Sequence, residues 1–300
     1  MKIILTLVLL GTVSNTFAAE SSMETPLPSQ TSVKVSSDID DEITNARLRA
    51  VTGAKSNYSF WSQTVFLGSS LSAPLQTPRP QLNPQNGADP VNFSSQVGGK
   101  YRVSENDSLI AGIGLQYTPA YPDPRRGGQP TTTTMSQPYV DYSRAFRWGG
   151  YQNVVDVAIS KYTLPADQDA GLNLFWSMSH QLIVELPSVK KLSLGFASFL
   201  GQDIYNTVRP KGSFYLGAGF DPVLEYALTE KLSFRTMYFM LSLSEISGEE
   251  NLWKQSQQTE SAGVGYAVTR DIYLYPNVGW MWGHMSADQT TVGLSANINL

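Results

Sequence analysis

The chain has 300 residues, a formal net charge of −4 and no cysteine. The lack of cysteine excludes disulfides, thiolate metal sites and a cysteine nucleophile. The slight acidity argues against a nucleic-acid partner. Charged residues make up 15% of the chain, well below the roughly 25% usual in soluble domains. Beyond the first residues, no apolar stretch reaches the roughly 20 residues that a membrane helix needs.

The N-terminus has the pattern of an export signal. Lys2 provides a positive start, Ile3 to Leu10 form a short apolar run, and Thr16-Phe17-Ala18 offers a cleavage site with small residues at its two key positions. We therefore predict that residues 1–18 are a cleaved signal peptide. An uncleaved N-terminal anchor is the alternative, and the apolar run is short for that role.

Residues 19–57 are predicted to form a disordered lead followed by one short helix. Residues 19–37 are rich in Ser, Thr and Pro, a composition typical of disorder. Residues 38–51 place acids in a first helical turn and arginines near the last turn, as the helix dipole prefers. The acids are Asp38, Asp40, Asp41 and Glu42, the arginines Arg47 and Arg49, and the apolar stripe is Ile39, Ile43, Ala46 and Ala50. The acids lack the glycine and the final Glu of a calcium loop.

From Tyr58 onward the chain consists of alternating segments separated by turn residues. The final segment is the clearest, with apolar Val292, Leu294, Ala296, Ile298 and Leu300 separated by small or polar residues. A period of two predicts a strand with one apolar and one polar face. Twelve such strands are predicted, at 58–70, 91–104, 107–119, 135–148, 151–163, 171–186, 190–203, 212–228, 231–246, 254–268, 271–284 and 289–300.

The connections between these strands alternate strictly between short and long. Gly149-Gly150 has the composition of a two-residue hairpin, and the connections near 105, 188, 229 and 269 are similarly short. The longest connections are 71–90 and 120–134. This alternation predicts an even number of strands, with both chain ends on the short-turn side.

In these features the chain resembles the Gram-negative outer-membrane β-barrels, a class rather than one specific transporter. The resemblance implies an all-β fold: a closed antiparallel transmembrane β-barrel of about 12 strands, spanning residues 58–300, with a short N-terminal helix. It also implies residence in the outer membrane, contact with membrane lipid and lipopolysaccharide, and assembly by the barrel-insertion machinery. The helix within 38–51 then docks inside the barrel mouth, docks on a periplasmic partner, or frays in solvent.

The strand register assigns side chains to the lipid or to the lumen. Charges on the lipid face would cost roughly 2–4 kcal/mol at mid-depth, so charged residues belong in the lumen. The predicted lumen charges are Lys100, Arg102, Asp141, Arg147, Asp156, Asp221, Glu225 and Arg235, and the predicted aromatic girdle is Trp148, Tyr226, Trp280 and Trp282. The first strand is ambiguous, because its large apolar residues are split between the two faces: Phe60, Trp61, Val65 and Phe66. The ninth strand switches faces between Phe234 and Phe239, which predicts a bulge.

These features favour a narrow porin-like channel that transports small polar solutes or ions, with no cofactor and no metal. A non-conducting barrel with a structural or surface-recognition role is the alternative. A lipid-modifying enzyme is a third hypothesis, because His180 lies in the lipid-facing register, where the twelve-stranded outer-membrane phospholipase carries its catalytic His and Ser. That family spaces the two residues two apart, whereas Met178 and Leu182 flank His180 here. Ser198 shares the outward register, but the sequence shows no third partner, so no enzyme is expected. His284 is expected to lie at the outer rim.

Overall fold

The computed structural model describes residues 43, 45–52, 56–76, 90–123, 127–186, 188–189, 191–210, 213–239, 241–246, 254–255, 259–282, 285–287 and 289–300. The predicted signal peptide, the disordered lead and His284 lie outside these residues.

The elements are two short helices and sixteen strands within the described residues. In chain order they are α1 (Ala46–Thr52), β1 (Tyr58–Leu67), β2 (Asn92–Arg102), β3 (Asp107–Thr118), β4 (Tyr121–Asp123), β5 (Gly127–Gln129), β6 (Thr132–Trp148), β7 (Tyr151–Lys161), α2 (Pro165–Asp169), β8 (Leu172–Glu185), β9 (Leu192–Tyr205), β10 (Phe214–Ala227), β11 (Leu232–Phe239), β12 (Leu241–Ile246), β13 (Lys254–Gln255), β14 (Thr259–Ala267), β15 (Ile272–Met281) and β16 (Thr291–Asn299).

The strands form one closed antiparallel barrel, which confirms the predicted fold. Consecutive barrel strands pair along the chain, and β16 returns to pair with β1, from Trp61 opposite Asn299 to Leu67 opposite Gly293. Strands β11 and β12 both pair with β10, one after the other, and together occupy one position in the barrel. Strands β13 and β14 together occupy the next position, so the barrel has twelve strand positions. Closure leaves no open sheet edge, which hydrocarbon would not tolerate.

The connections also follow the predicted pattern. At one end, β6 and β7 are joined by Gly149-Gly150 alone, and Gly149 has φ +59°, a value that a side chain would disfavour. At the other end, β3 and β6 are separated by the small hairpin of β4 and β5, and β7 and β8 by α2. We call the two ends of the barrel the short-turn end and the long-loop end.

Alternation along each strand separates an outer wall from a lumen, as the register predicted. On β3, Leu109 is 43% exposed on the outer wall while its neighbour Ile110 is 3% exposed inside. The ambiguity of β1 is resolved in favour of Trp61, which is buried in the lumen with Ile110 and Tyr139, whereas Phe60 is exposed outside.

Two bulges adjust this register. On β10, Val223 faces Met237 but Phe220 faces Leu241, so the neighbouring strand gains one residue between Met237 and Leu241. The bulge was predicted between Phe234 and Phe239, but the pairing with β14 is regular from Leu232 to Phe239, so the extra residue lies nearer the end of the strand than predicted. A second bulge, which the sequence did not predict, lies on β6. There Gln137 has φ +52°, and the pairing with β3 shifts between Gly112 and Gly114.

The helix differs from its prediction. We expected one helix over 38–51, but Ile43 and Asn45 are not helical and α1 begins at Ala46. The Asn45 side chain explains this start, because its Oδ1 accepts hydrogen bonds from the backbone N–H groups of Arg47 and Leu48, both at 3.1 Å. Asn45 is therefore the N-cap. Among the described residues, no helix combines the length and apolar character needed to cross a bilayer.

Candidate functional site: the barrel lumen

Helix α1 lies inside the lumen, near the short-turn end of the barrel. On one side, Leu48 and the preceding Ile43 are fully buried in a cluster with Ala145, Val154 and Ile183. On the other side, Ala50 and Ala46 pack in a second cluster with Ala267, Tyr273 and Tyr275. A helix with apolar contacts on two sides requires an enclosed position, and here the barrel wall provides it.

Polar contacts fix both ends of α1 to the barrel wall. At its start, the Asn45 backbone N–H donates to Gln152 Oε1 at 2.9 Å and Asn45 Nδ2 donates to Glu225 Oε2 at 3.1 Å. At its end, Lys100 Nζ donates to the carbonyl oxygens of Val51, at 3.4 Å, and Thr52. A cation at a helix C-terminus satisfies carbonyl groups that have no partner within the helix.

The middle of α1 is attached through Arg47, whose Nη2 donates to Gln181 Oε1 on β8. Burial and, to a smaller extent, the positive charge of Arg235 lower the pKa of Arg47 to about 10. Arg47 remains cationic at neutral pH, because that pKa lies well above 7.

Cavities lie on both sides of α1. A cavity of about 550 Å³ opens at the short-turn end and is lined by Arg49 of the helix together with Glu185, Lys191 and Glu230. Two further cavities, of about 310 and 360 Å³, lie toward the long-loop end and share Arg47 and Gln63 in their linings. The helix therefore stands between spaces at the two ends of the barrel.

The cavity of about 310 Å³, here called the acidic side, contains two carboxylates. Asp141 on β6 and Asp156 on β7 line it, and Ser179 Oγ donates to Asp156 Oδ2 at 2.9 Å. Its remaining wall carries Trp61 and Tyr139, whose rings meet edge to face with centroids 6.3 Å apart. Gly112 faces Tyr139 across the β3–β6 ladder, and a Cβ on Gly112 would lie 2.6 Å from the Tyr139 hydroxyl. The absence of a side chain at Gly112 therefore lets this ring lie against the wall.

The cavity of about 360 Å³, here called the arginine side, is lined by Arg47, Arg235, Tyr273 and Tyr275. The Arg235 guanidinium lies over the Tyr275 ring, 5.2 Å from its centroid. Nε and Nη2 of Arg235 and Nε of Arg47 are buried without a hydrogen-bond partner, and the Tyr273 hydroxyl is buried beside Ser233.

Five of the eight charged residues predicted for the lumen occupy three kinds of position. Lys100 and Glu225 contact α1, Asp141 and Asp156 belong to the acidic side, and Arg235 belongs to the arginine side. The other three do not join these groups: Arg102 is buried in the lumen register of β2, Asp221 is half-buried in that of β10, and Arg147 is exposed beside the Gly149-Gly150 turn. Within the described residues, no three Asp, Glu or His side chains are grouped so as to hold a metal ion.

The four predicted girdle residues lie at the two ends of the barrel. Trp148 and Tyr226 are exposed close to the short-turn end, and Trp282 is exposed at the long-loop end, where Trp280 is half-buried.

His180 lies on the outer wall and has polar neighbours that the sequence did not reveal. Its Nε2 is 3.0 Å from Asn153 Oδ1 on β7, and Ser198 stands directly opposite it on β9. Val184, four residues away on β8, pairs with Tyr151 beside the short turn. For tilted strands this places His180 about 10 Å from that turn along the barrel axis.

The functional residues that sequence reasoning missed are those of α1 and its anchors. Arg47 was assigned only to the helix dipole, and Asn45, Gln152, Gln181, Tyr273 and Tyr275 were given no site role. Tyr273 and Tyr275 carried one usable signal, because both fall in the lumen register of β15, where a small or polar side chain is more usual.

No protein-family model matches the chain, and no curated protein matches it in sequence. Solved structures do match. The COG4313 outer membrane channel from Pseudomonas putida F1 aligns over 83% of this chain and 98% of its own, with TM-score 0.51 and 8% identity. The KdgM porin covers 81% and 99% with TM-score 0.41 and 7% identity, and Salmonella typhi OmpF, in a complex with daunomycin, covers 84% and 98% with TM-score 0.37 and 8% identity. At such low identity the likeness concerns the fold alone, and on that level the chain is similar to the COG4313 outer membrane channel.

Proposed function

We propose that this protein is an outer-membrane channel for small polar solutes or ions, closed at its short-turn end by α1. The observation that carries the proposal is the position of α1, which stands between cavities at the two ends of a polar lumen. Solutes pass when the helix leaves its place, and the polar wall replaces part of their hydration.

The contacts of α1 suit a removable plug. The helix has seven residues and is attached by hydrogen bonds of Asn45, Arg47 and Lys100 rather than by a covalent link. Each such bond exchanges for one with water on release, so its net contribution is only about 0.5–3 kcal/mol. The two apolar clusters add stability to the docked state. The balance between these contacts and the hydration of the released helix sets the fraction of channels that are closed.

The proposal includes a Gram-negative outer-membrane location after cleavage of residues 1–18. The exposed apolar outer wall and the aromatic residues at both barrel ends support contact with lipid and lipopolysaccharide. An apolar closing strand that ends in Leu300 supports assembly by the barrel-insertion machinery. We further propose that the protein is not a lipid-modifying enzyme, because His180 lies about 10 Å from the short-turn end for tilted strands, whereas lipid esters lie at the membrane interface.

Planar-bilayer recording of the purified exported chain tests the channel. We expect discrete current steps, and an increase of about tenfold or more in open probability for Lys100→Met. That substitution removes hydrogen bonds from a charged donor, which contribute roughly 1.5–3 kcal/mol. Lys161→Met is the matched control, since Lys161 is exposed at the long-loop end and does not contact α1.

The absence of current steps from both the unchanged chain and Lys100→Met would overturn the channel. That result would favour the alternative of a non-conducting barrel, which the docked α1 also fits, with a structural or surface-recognition role for the long connections.

A further inference from the structure

We propose that Arg47, Arg235 and Tyr273 form a binding site for a small oxyanion, the carboxylate or phosphate group of a solute, on the arginine side of the lumen. The proposal rests on the lumen being the solute pathway, and it assigns a chemical class to a solute that binds while α1 is docked.

Arg235 provides the fixed part of this site. Its side chain is 4% exposed, and Nε and Nη2 are buried without a hydrogen-bond partner. The Tyr275 ring lies beneath the guanidinium, and the Tyr275 hydroxyl donates to the Arg235 backbone oxygen at 3.2 Å. The side chain is thus held in place by its surroundings while two of its donors remain unused. A guanidinium offers paired donors that match the two oxygens of a carboxylate or a phosphate.

The nearest acid does not neutralise Arg235 by direct contact. Glu225 is its cross-strand neighbour on β10, but the Glu225 carboxylate accepts from Asn45 Nδ2 of the plug segment. Among the described residues, no ion pair joins Glu225 to Arg235. Glu260 is the carboxylate that lines the cavity itself, and its Oε1 accepts from Thr236 Oγ1 at 3.2 Å.

Arg47 adds a second cation to the same cavity. One of its terminal nitrogens donates to Gln181, whereas its Nε is buried without a partner. The two guanidiniums repel each other, and the positive charge of Arg235 contributes to the lowered pKa of Arg47. An anion between two cations relieves this repulsion, which is the electrostatic condition for oxyanion binding.

Tyr273 completes the donor set. It is 1% exposed, and its hydroxyl is buried beside Ser233. The three side chains line one cavity of about 360 Å³, whose other lining residues include Asn277 and Asn297. This volume accommodates a small organic acid or a phosphate with its hydration water.

Titration calorimetry of the exported chain in detergent micelles tests the site with two probes, sodium phosphate and sodium acetate, at constant ionic strength set with sodium chloride. We expect saturable binding of at least one probe, weakened at least tenfold by Arg235→Met and by Arg47→Met. Arg147→Met is the matched control, because Arg147 lies in the lumen register but outside this cavity. It should change the affinity less than twofold.

The absence of saturable binding of either probe by the unchanged chain would overturn the site. So would a loss of affinity in Arg147→Met as large as the loss in Arg235→Met. Arg235→Lys provides a second variant if Arg235→Met fails to fold. It keeps the charge and loses the paired donors, so an affinity equal to that of the unchanged chain would contradict the assignment. The two proposals fail separately: current steps without anion binding overturn the site alone, and anion binding without current steps overturns the channel alone.

Discussion

The acidic side and the arginine side of the lumen are built from different parts of the chain. Asp141 and Asp156 both project from barrel strands, so the register of β6 and β7 fixes them. On the arginine side, Arg235 projects from β11, but Arg47 belongs to α1. The two carboxylates of the acidic side therefore have fixed positions, whereas the position of Arg47, which lines both cavities, depends on the helix. On the proposal that α1 leaves the lumen, its departure removes the positive charges of Arg47 and Arg49 and makes the open lumen more negative.

The largest expected effect concerns the rigid wall of the acidic side. A Cβ on Gly112 would lie 2.3 Å from the Val97 carbonyl oxygen and 2.6 Å from the Tyr139 hydroxyl. Gly112→Ala should therefore lower the free energy of unfolding in urea by about 1–3 kcal/mol. Gly99→Ala is the control, since nothing lies within 4 Å of a Cβ there. An equal stability for the two variants would show that the Tyr139 ring does not depend on Gly112.

The arginine side can be reversed in charge. Arg235→Glu should raise the ratio of cation to anion permeability roughly tenfold, because a charge change near a narrow path contributes on the order of 1–2 kcal/mol at an effective dielectric near 20. The reversal potential in a potassium chloride gradient measures this ratio. Arg147→Glu, at the short-turn rim, should change it less than half as much on a logarithmic scale. A larger shift from the rim variant would locate the selectivity outside the arginine side.

Anion binding should stabilise the closed plug. An oxyanion that contacts Arg47 and Arg235 together binds the docked state better than the open state, so phosphate at ten times its Kd should lower the open probability by about tenfold. Bilayer recording with phosphate on one side at a time checks this. Arg47→Met should abolish the response, and an unaltered response in that variant would separate the anion effect from the plug.

The smallest effect is expected from a single acid. Asp156→Asn should reduce the cation preference of the open channel by roughly two- to threefold, because Asp141 remains beside it and salt screens both charges. The Ser179 hydroxyl keeps an acceptor in the amide oxygen, so the wall stays intact. Reversal potentials measured at two salt concentrations test this, and a preference that does not respond to Asp156→Asn at either concentration would remove the acidic side from selectivity.

Local sequence patterns were sufficient to predict the barrel, because each barrel strand has one polar face and one apolar face. The alternation of Val292 to Leu300 and the Gly149-Gly150 turn depend on neighbours in sequence and on the two solvents alone. The start of α1 was predicted wrongly, because acids at 38–42 favour a first turn there, whereas Asn45 provides the N-cap that the structure uses.

The site could be predicted only in part. Register was enough to place Glu225 and Arg235 inside, but it could not show that the Glu225 carboxylate bonds to Asn45 and leaves donors of Arg235 unused. These contacts join residues 180 positions apart in the chain. They depend on where a short helix docks, and no periodicity in the sequence encodes that position. His180 is similar, because Asn153 becomes its neighbour only through the β7–β8 pairing.

The central claim, that α1 closes the lumen and must leave it for solutes to pass, is tested most directly by locking the helix in place. The chain has no cysteine of its own, so Leu48→Cys combined with Val154→Cys, two members of one buried cluster, provides a single engineered crosslink. In planar bilayers the oxidised double variant should show no current steps, and a reductant should restore the steps of the unchanged chain. Current steps of equal size and frequency before and after reduction, with the crosslink verified by mass spectrometry, would contradict the account.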